Sequence, residues 1–219
     1  MISILMPIYN TRKKLLDRAV HSCLWQTFDD FEIVIVNNGS DLDETNAAVD
    51  LHGKLPIVRV LNCPRSHDKR NLSRALNHGI ANINNSFIAR MDGDDVMSPY
   101  RLEKQIKYMQ KNPDLYVLGT QIKFRFGGGI STLPKIITPK IAIEAKWNWF
   151  LAHPTVMMRK ELFTTVGNYA EEIVTQPEDL ELWFRVLQHN LRMENLDENL
   201  LLYNDDGNGE AVREAKNSE

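Results

Sequence analysis

Three carboxylates fall within four residues at Asp92-Gly93-Asp94-Asp95. Charges of one sign so close together repel unless a cation or solvent compensates them. The glycine between Asp92 and Asp94 lets the backbone turn sharply, so both side chains can face one point. Oxygen-only ligands suit a hard divalent ion, Mg²⁺ or Mn²⁺. Two carboxylates do not close an octahedron, which leaves positions for water and for substrate phosphate oxygens. The competing reading is a solvated acidic turn capping the helix that starts near Pro99.

A second acidic group, Gln176-Pro177-Glu178-Asp179, precedes the apolar positions Leu180, Trp183 and Phe184. Acidic residues in a first helical turn are stabilised by free N–H groups and the helix dipole, and this is the plain structural reading. The functional reading is a carboxylate held at a helix start and aimed into a cleft, where it could act as a general base toward a hydroxyl. His153-Pro154 could supply a nitrogen ligand to the same metal, or be a satisfied core histidine. Trp147 and Trp149 cannot share one helix face, so one could pack in the core while the other lines a pocket. Arg65, His67, Lys69 and Arg70 form a basic loop that could be solvated or could counter a diphosphate through charge-assisted hydrogen bonds.

The elements that must position these groups alternate along the first half. Residues 2–6 form a short apolar strand ending at Pro7. Residues 11–25 carry Leu15, Leu16, Ala19, Val20, Cys23 and Leu24 at helical spacing. Residues 31–36 are a near-continuous apolar strand, suited to cover on both faces, which stops at the turn signal Asn37-Asn38-Gly39-Ser40. A polar helix (43–51), a strand (57–61), a helix (69–84) and a strand (87–91) follow, and a further helix closes at Asn112-Pro113. This rhythm predicts a parallel sheet with helices on both faces. In such sheets ligands sit beyond the carboxyl ends of the strands. Tyr9-Asn10, Asn37-Asn38 and Asp92 to Asp95 all fall there.

The second half is less regular. Residues 115–126 and 130–137 read as strands around Gly127-Gly128-Gly129, a loop or hairpin turn. Residues 141–150 read as helix, 155–159 as a short strand, and 200–203 as a last strand. With no repeat and no Pro- or Ser-rich linker, the pattern favours one compact domain over residues 1–203, with a polar, flexible tail at 204–219.

The chain has 219 residues, 26 Lys+Arg against 29 Asp+Glu, and 43% hydrophobic residues. That length can bury a sizeable core, and the composition argues against wholesale disorder. A formal net charge of −3 argues against a dedicated nucleic-acid binder. No apolar stretch approaches the roughly 18 to 20 residues a spanning helix needs, and the N-terminal apolar run is too short for a signal peptide. Two cysteines, Cys23 and Cys63, exclude a disulfide framework and suit cytosolic residence, with both thiols read as small buried apolar groups.

Taken in order, several segments resemble the family 2 inverting glycosyltransferases of the GT-A fold. They are Ile4-Leu5-Met6-Pro7-Ile8-Tyr9-Asn10, Leu24-Trp25-Gln26-Thr27-Phe28 running into Asp29-Asp30-Phe31-Glu32-Ile33-Val34, and Arg70-Asn71 with Leu76-Asn77-His78-Gly79-Ile80. Phe87-Ile88-Ala89-Arg90-Met91-Asp92-Gly93-Asp94-Asp95, followed by Pro99 and Arg101-Leu102, resembles the DxD segment. His153-Pro154 and Glu178-Asp179-Leu180-Glu181-Leu182-Trp183 are similar to the later acceptor-side motifs. The resemblance covers about residues 1–203.

It implies an α/β fold with a mostly parallel, Rossmann-like central sheet flanked by helices. Residues 1–112 would be the nucleotide-binding half and residues 113–203 a smaller acceptor-binding half. The donor would be held by Pro7, Tyr9, Asn38, Arg70, Asp92 and Gly93, with Tyr9 lining the nucleobase pocket. Asp92 and Asp94 would bind Mn²⁺ or Mg²⁺, with His153 as a third ligand. Asp179 would be the general base, supported by Glu178, and Asp95 would orient the loop. Two departures stand out. The family usually has paired aspartates where this chain has Asn37-Asn38; a neutral Asn38 can still accept a hydrogen bond but adds a donor. After Leu201-Leu202-Tyr203 the family often continues with an Arg and a His, where this chain has Asn204-Asp205-Asp206; Arg70 or Lys135 could take the cationic role.

The expected activity is therefore metal-dependent, inverting transfer of a sugar from a nucleotide-diphosphate sugar, first choice a UDP-sugar, to an acceptor hydroxyl. The setting would be bacterial surface polysaccharide or lipid-linked oligosaccharide synthesis, with a carbohydrate or lipid-linked saccharide acceptor. The expected location is the cytoplasm, with peripheral contact at the inner membrane face. The alternative is a non-catalytic nucleotide-sugar-binding or partner subunit of the same fold.

Overall fold

The computed structural model describes residues 1–63, 71–145, 150–172 and 177–206. Its first half runs β1 (Ile2–Ile8), α1 (Lys13–Leu24), β2 (Phe31–Asn37), α2 (Asp43–His52), β3 (Val58–Asn62), α3 (Asn71–Asn82), β4 (Phe87–Arg90), β5 (Val96–Met97) and α4 (Arg101–Lys111). The second half runs β6 (Leu115–Phe124), β7 (Ile136–Ile137), α5 (Pro139–Glu144), a 3₁₀ turn at His153–Thr155, β8 (Met157–Arg159), α6 (Leu162–Val166), α7 (Glu178–Gln188) and β9 (Arg192–Tyr203). The strands form one nine-stranded sheet in the order β3-β2-β1-β4-β8-β6-β9-β5, with β7 also on β9.

The pairings β3-β2-β1-β4 are all parallel. The parallel character expected of the whole sheet is concentrated in that half. Beyond β4 the sheet is mixed, with β8 antiparallel to both β4 and β6, and β6 parallel to β9. Side chains alternate across a strand, so each central strand feeds two cores. Ile2, Ile4, Met6 and Ile8 of β1 pack with Leu16 and Val20 of α1 and with Leu102 and Ile106 of α4 on one face. Leu5 packs with Leu76 and Ile80 of α3 and with Leu180 and Trp183 of α7 on the other. Two-sided burial is why β1 and β2 read as unbroken apolar runs. Helix α3 lies so close to the sheet that a Cβ at Gly79 would sit 2.3 Å from Leu5 Cδ1. Cys23 and Cys63 are free and buried, as small apolar residues would be.

Several second-half boundaries differ from expectation. Strand β9 is 12 residues long rather than four. Its pairing with β6 shifts register around Gln121, where Leu196 and Asn199 face consecutive β6 residues. Asp197 and Glu198 are the extra residues of that bulge, and their charges break the alternation that marks a strand. The expected strand over 130–137 is reduced to a bridge at Ile130 and the two residues of β7. Gly128 and Gly129 both adopt positive φ (65° and 85°), making the triple glycine a turn. Residue 155 belongs to the 3₁₀ turn rather than to β8. Helix α5 starts at Pro139 and ends at Glu144, with Phe150 outside it and buried. No helix among the described residues is long and apolar enough to cross a membrane.

Candidate active site

Strands β1, β2 and β4 run parallel, so the loops that follow them meet at one edge of the sheet. Ladder pairing between β1 and β4 stops at Leu5 and Arg90. Pro7 therefore lies beyond the end of β4, and its missing N–H breaks no bond on that side. Tyr9 is half-buried at this edge. The backbone N–H of Asn38 donates to the Ile8 carbonyl at 2.9 Å, tying the second loop to the first. Asn37 Oδ1 accepts from the Ser40 N–H at 3.1 Å, and its Nδ2 donates to Asn46 of α2. Asn10, at φ 49°, accepts from the N–H groups of Asp41 and Leu42 at 2.9 and 3.2 Å and so holds the turn that leads into α2. Asn37 and Asn10 thus shape the edge through neutral turn chemistry.

The acidic loop rests on the end of β1. A Cβ at Gly93 would lie 2.6 Å from Ile8 Cγ2, so only glycine permits that approach. Asp92 Oδ2 accepts from Arg90 Nη1 at 2.6 Å, and the Arg90 side chain is only 3% exposed. Asp94 Oδ2 accepts from Asn204 Nδ2 at 3.3 Å. Burial, then the charge of Asp92, pushes Asp94 up to about 6; Asp206 adds to this, while the Asn204 hydrogen bond opposes it. Asp95 is buried, and its Oδ1 accepts from the Asn204 N–H at 2.8 Å, while Oδ2 has no hydrogen-bond partner among the described residues. Burial and the charges of Asp92 and Asp94 hold its carboxyl well above the usual range. Asn204, at the start of the expected tail, is itself buried and also accepts from Arg125 Nη1 at 3.0 Å. Asp205 receives the N–H groups of Phe126 and Gly127, each at 2.7 Å, and Asp206 pairs with Arg12 at 3.3 Å. Residues 204–206 therefore join the acidic loop to the glycine turn and to the approach to α1.

The second acidic group sits at the start of α7. His153, Glu178 and Asp179 each offer a ligand-type atom within 4.8 Å of the others. His153 is buried; its Nδ1 lies 3.6 Å from Glu178 Oε1 and its Nε2 lies 2.9 Å from the Tyr169 hydroxyl. The edge of its ring meets Trp183, one turn into α7, at 5.9 Å. Burial pushes Glu178 up, but His153, the first-turn N–H and Arg90 outweigh it and hold the carboxyl down at about 2. Burial wins at Asp179, which is raised; Glu178 adds to the shift, while His153, the Leu180 N–H and Arg90 oppose it. Arg90 is thus bonded to Asp92 and draws on both Glu178 and Asp179. One buried guanidinium is bonded to the first acidic group and close enough to the second to lower both of its carboxyls.

The pattern of Glycosyl transferase family 2 matches residues 3–167. The chain belongs to this family. It is 36% identical over 211 residues to the O-antigen biosynthesis glycosyltransferase WbnJ of Escherichia coli, a match covering 93% of this chain and 79% of WbnJ. It is 32% identical over 209 residues to the putative glycosyltransferase EpsE of Bacillus subtilis, covering 94% and 73%. Its fold superposes on S. aureus TarS 1-349 in complex with UDP-GlcNAc with a TM-score of 0.75 at 19% identity. That match covers 97% of this chain and 60% of the TarS chain, so the chain spans about three-fifths of that neighbour. The protein is an enzyme, a glycosyltransferase of family 2 with the α/β architecture of those neighbours.

Members of such a family are expected to meet a divalent cation and a diphosphate at the end of β4. Asp92 and Asp94 offer hard oxygen donors there; burial first, and then the neighbouring aspartates, raise Asp94 and Asp95, and a cation would favour their ionised form. That donor set fits Mg²⁺ or Mn²⁺. His153 is placed differently from its expected role as third ligand. Asp92, Asp94 and His153 do not gather within 4.8 Å of one another, and His153 groups with Glu178 and Asp179 instead. Both its nitrogens already face partners. Arg65, His67, Lys69, Arg70, Trp147, Trp149 and Gln176 lie outside the described residues. Lys135 is exposed. Three working residues escaped the sequence reading: Arg90, Tyr169 and Asn204. Arg90 carried a readable sign, since a charge inside an apolar strand two residues before Asp92 projects to the same face. Tyr169 and Asn204 carried none.

Proposed function

We propose that this enzyme transfers a hexose from a UDP-sugar to an acceptor hydroxyl with inversion, in the assembly of a surface polysaccharide. The observation that carries the reading is Arg90, which bonds Asp92 and whose charge also lowers Glu178 and Asp179. A donor held on the acidic loop would then present its anomeric carbon toward one of these carboxylates. Pro7, Tyr9, Asn38, Asp92 and Gly93 line the edge where the nucleoside would lie. Mn²⁺ or Mg²⁺ held by Asp92 and Asp94 would offset charge on the departing diphosphate.

Asp179 takes the acceptor proton as the hydroxyl oxygen attacks the anomeric carbon from the face opposite the diphosphate. Its raised carboxyl is a better proton acceptor than Glu178, which is held too acidic to take a proton near neutrality. Single displacement inverts the anomeric centre through an oxocarbenium-like transition state. The acceptor would be a carbohydrate or lipid-linked saccharide, met in the cytoplasm at a membrane face. The relative named for O-antigen biosynthesis supports the polysaccharide setting.

The test is a thermal-shift and UDP-release screen of UDP-glucose, UDP-galactose and UDP-N-acetylglucosamine with Mn²⁺, with Mg²⁺ and with a chelator. Ligand binding to the native state raises the midpoint. A shift that requires the metal, with slow UDP release, is the expected result. A shift equal in chelator would sink the metal assignment, and a response only to another nucleotide would sink the uridine one.

A further inference from the structure

We propose that His153 and Tyr169 are positioning residues that decide which of the two α7 carboxylates serves as the base. This deepens the reading above and rests on Asp179 as proton acceptor. Two carboxylates with oxygens within 4.8 Å of each other and of one imidazole feel each other's charge, so which of them takes a proton depends on their other partners. A donor aimed at only one of them breaks the symmetry. His153 Nδ1 faces Glu178 Oε1 at 3.6 Å. An ionised carboxylate only accepts, so Nδ1 must carry hydrogen for that contact to be attractive. In the neutral ring Nε2 is then bare and must accept.

The Tyr169 hydroxyl, 2.9 Å away, is the donor that meets it. Burial keeps that phenol protonated across the working range. Tyr169 thus fixes the tautomer of His153, and the N–H of His153 holds Glu178 as the anion and leaves Asp179 as the oxygen open to a proton.

The position of Tyr169 is itself fixed from α3. Asn77 Nδ2 donates to the Tyr169 carbonyl at 2.9 Å, and the Tyr169 N–H donates to Asn77 Oδ1 at 3.0 Å. A two-way clamp of a side-chain amide on one residue's backbone leaves little freedom to slide. The edge of His153 against Trp183 fixes the ring plane from α7. The hydroxyl of Tyr169 makes no hydrogen bond to Asp92, Asp94 or Asp95 among the described residues, so the direct contacts of the pair lie on the acceptor side.

Tyr169→Phe removes one hydroxyl and keeps the ring. UDP release from UDP-galactose and UDP-N-acetylglucosamine with Mn²⁺ should fall in kcat by between about tenfold and a hundredfold, the usual loss when an orienting partner is removed. KM for the same donor, and Mn²⁺ and UDP affinity by calorimetry, should stay within about twofold. His153→Asn, whose amide can place an N–H near the lost Nδ1, should keep more turnover than His153→Leu, and it carries the test if Tyr169→Phe fails to unfold cooperatively. Unchanged kcat in Tyr169→Phe, or equal losses in the two His153 variants, overturns the proposal. Loss of Mn²⁺ affinity in His153→Asn also overturns it, by returning His153 to the metal. Asp179→Asn run in parallel separates the levels: if it keeps wild-type turnover the base assignment itself is wrong, whereas if it is inactive and Tyr169→Phe is not, only the positioning role fails.

Discussion

The two acidic groups of the site are built from the same residue types and end in opposite electrostatic states. At the end of β4, Asp92 is bonded to the Arg90 guanidinium, Asp95 feels its charge, and Asp94 rises to about 6. At the start of α7, Glu178 and Asp179 have an imidazole, first-turn N–H groups and that same guanidinium, and Glu178 falls to about 2. Burial acts on both. The difference lies in the partners: three carboxylates crowd together with Arg90 and Asn204, against two carboxylates with an imidazole, first-turn N–H groups and the same Arg90. On the function proposed above, the β4 group would meet a cation that arrives with the substrate, and the α7 group would spare one carboxylate for proton transfer. Binding and chemistry would then fall to different carboxylates.

That division is broken most directly at Asp179. Asp179→Asn should lower kcat for sugar transfer by about 10² to 10⁴-fold while donor affinity with Mn²⁺ stays near wild type. Single-turnover transfer beside calorimetry of UDP separates the two quantities. A comparable loss in both would mean that the α7 carboxylate holds donor as well. Asp94→Ala is the mirror case. Its effect should fall on donor affinity in the presence of Mn²⁺, by about 10²-fold, and vanish when affinity is measured in chelator. A kcat defect at saturating donor larger than that of Asp179→Asn would erase the distinction.

The same contrast explains what could be read from the residues alone. The acidic loop was legible because β1 and β2 are buried on both faces, so their apolar runs and polar stops mark the strand ends where ligands gather. The α7 pair was legible because Leu180 and Trp183 repeat at helical spacing right after it. Arg90 was hidden in plain view, as a motif letter whose burial no local pattern discloses. Strand β9 was mostly missed because Asp197 and Glu198 bulge out of its pairing with β6. His153 had two compatible chemistries, ligand or orienting group, and only the three-dimensional neighbours Tyr169 and Glu178 separate them. Tyr169 reaches the site from a loop held by Asn77, 92 residues away in sequence, a link that no spacing rule records.

A smaller effect, on stability, sharpens the comparison through its sign. The Asp94 carboxyl in the fold lies above its ordinary 3.8, so folding is favoured when the group is protonated and that favour is lost as pH rises through about 6. Asp94→Asn should therefore raise the thermal midpoint of the ligand-free protein at pH 7 to 8, by an amount on the order of 1–3 kcal/mol or several degrees. The gain should shrink to nothing near pH 4. Glu178 runs the other way. Its carboxyl lies below the ordinary 4.5, so its stabilisation is present above that pH and is lost as pH falls toward about 2. Glu178→Gln should cost stability at neutrality and cost nothing in strong acid. Scanning calorimetry of both variants from pH 2 to 8 checks the crossing, and two curves of the same sign would contradict the division of charge.

The smallest expected effect tests how local that division is. Asn204 touches the β4 group twice, through its backbone N–H on Asp95 and its side chain on Asp94. Asn204→Ala keeps the first contact and removes the second, along with the acceptor for Arg125. One long hydrogen bond and one ordinary one should cost about 0.5–1.5 kcal/mol in the absence of donor. Asp94, short of a donor, should titrate higher still, so affinity for UDP with Mn²⁺ should fall a few-fold more at pH 6 than at pH 8. The α7 group has no hydrogen bond to Asn204 among the described residues, and kcat at saturating donor should not change. A kcat loss approaching that of Asp179→Asn would mean that β9 transmits strain across the sheet to α7. The two groups would then be one machine sharing more than Arg90.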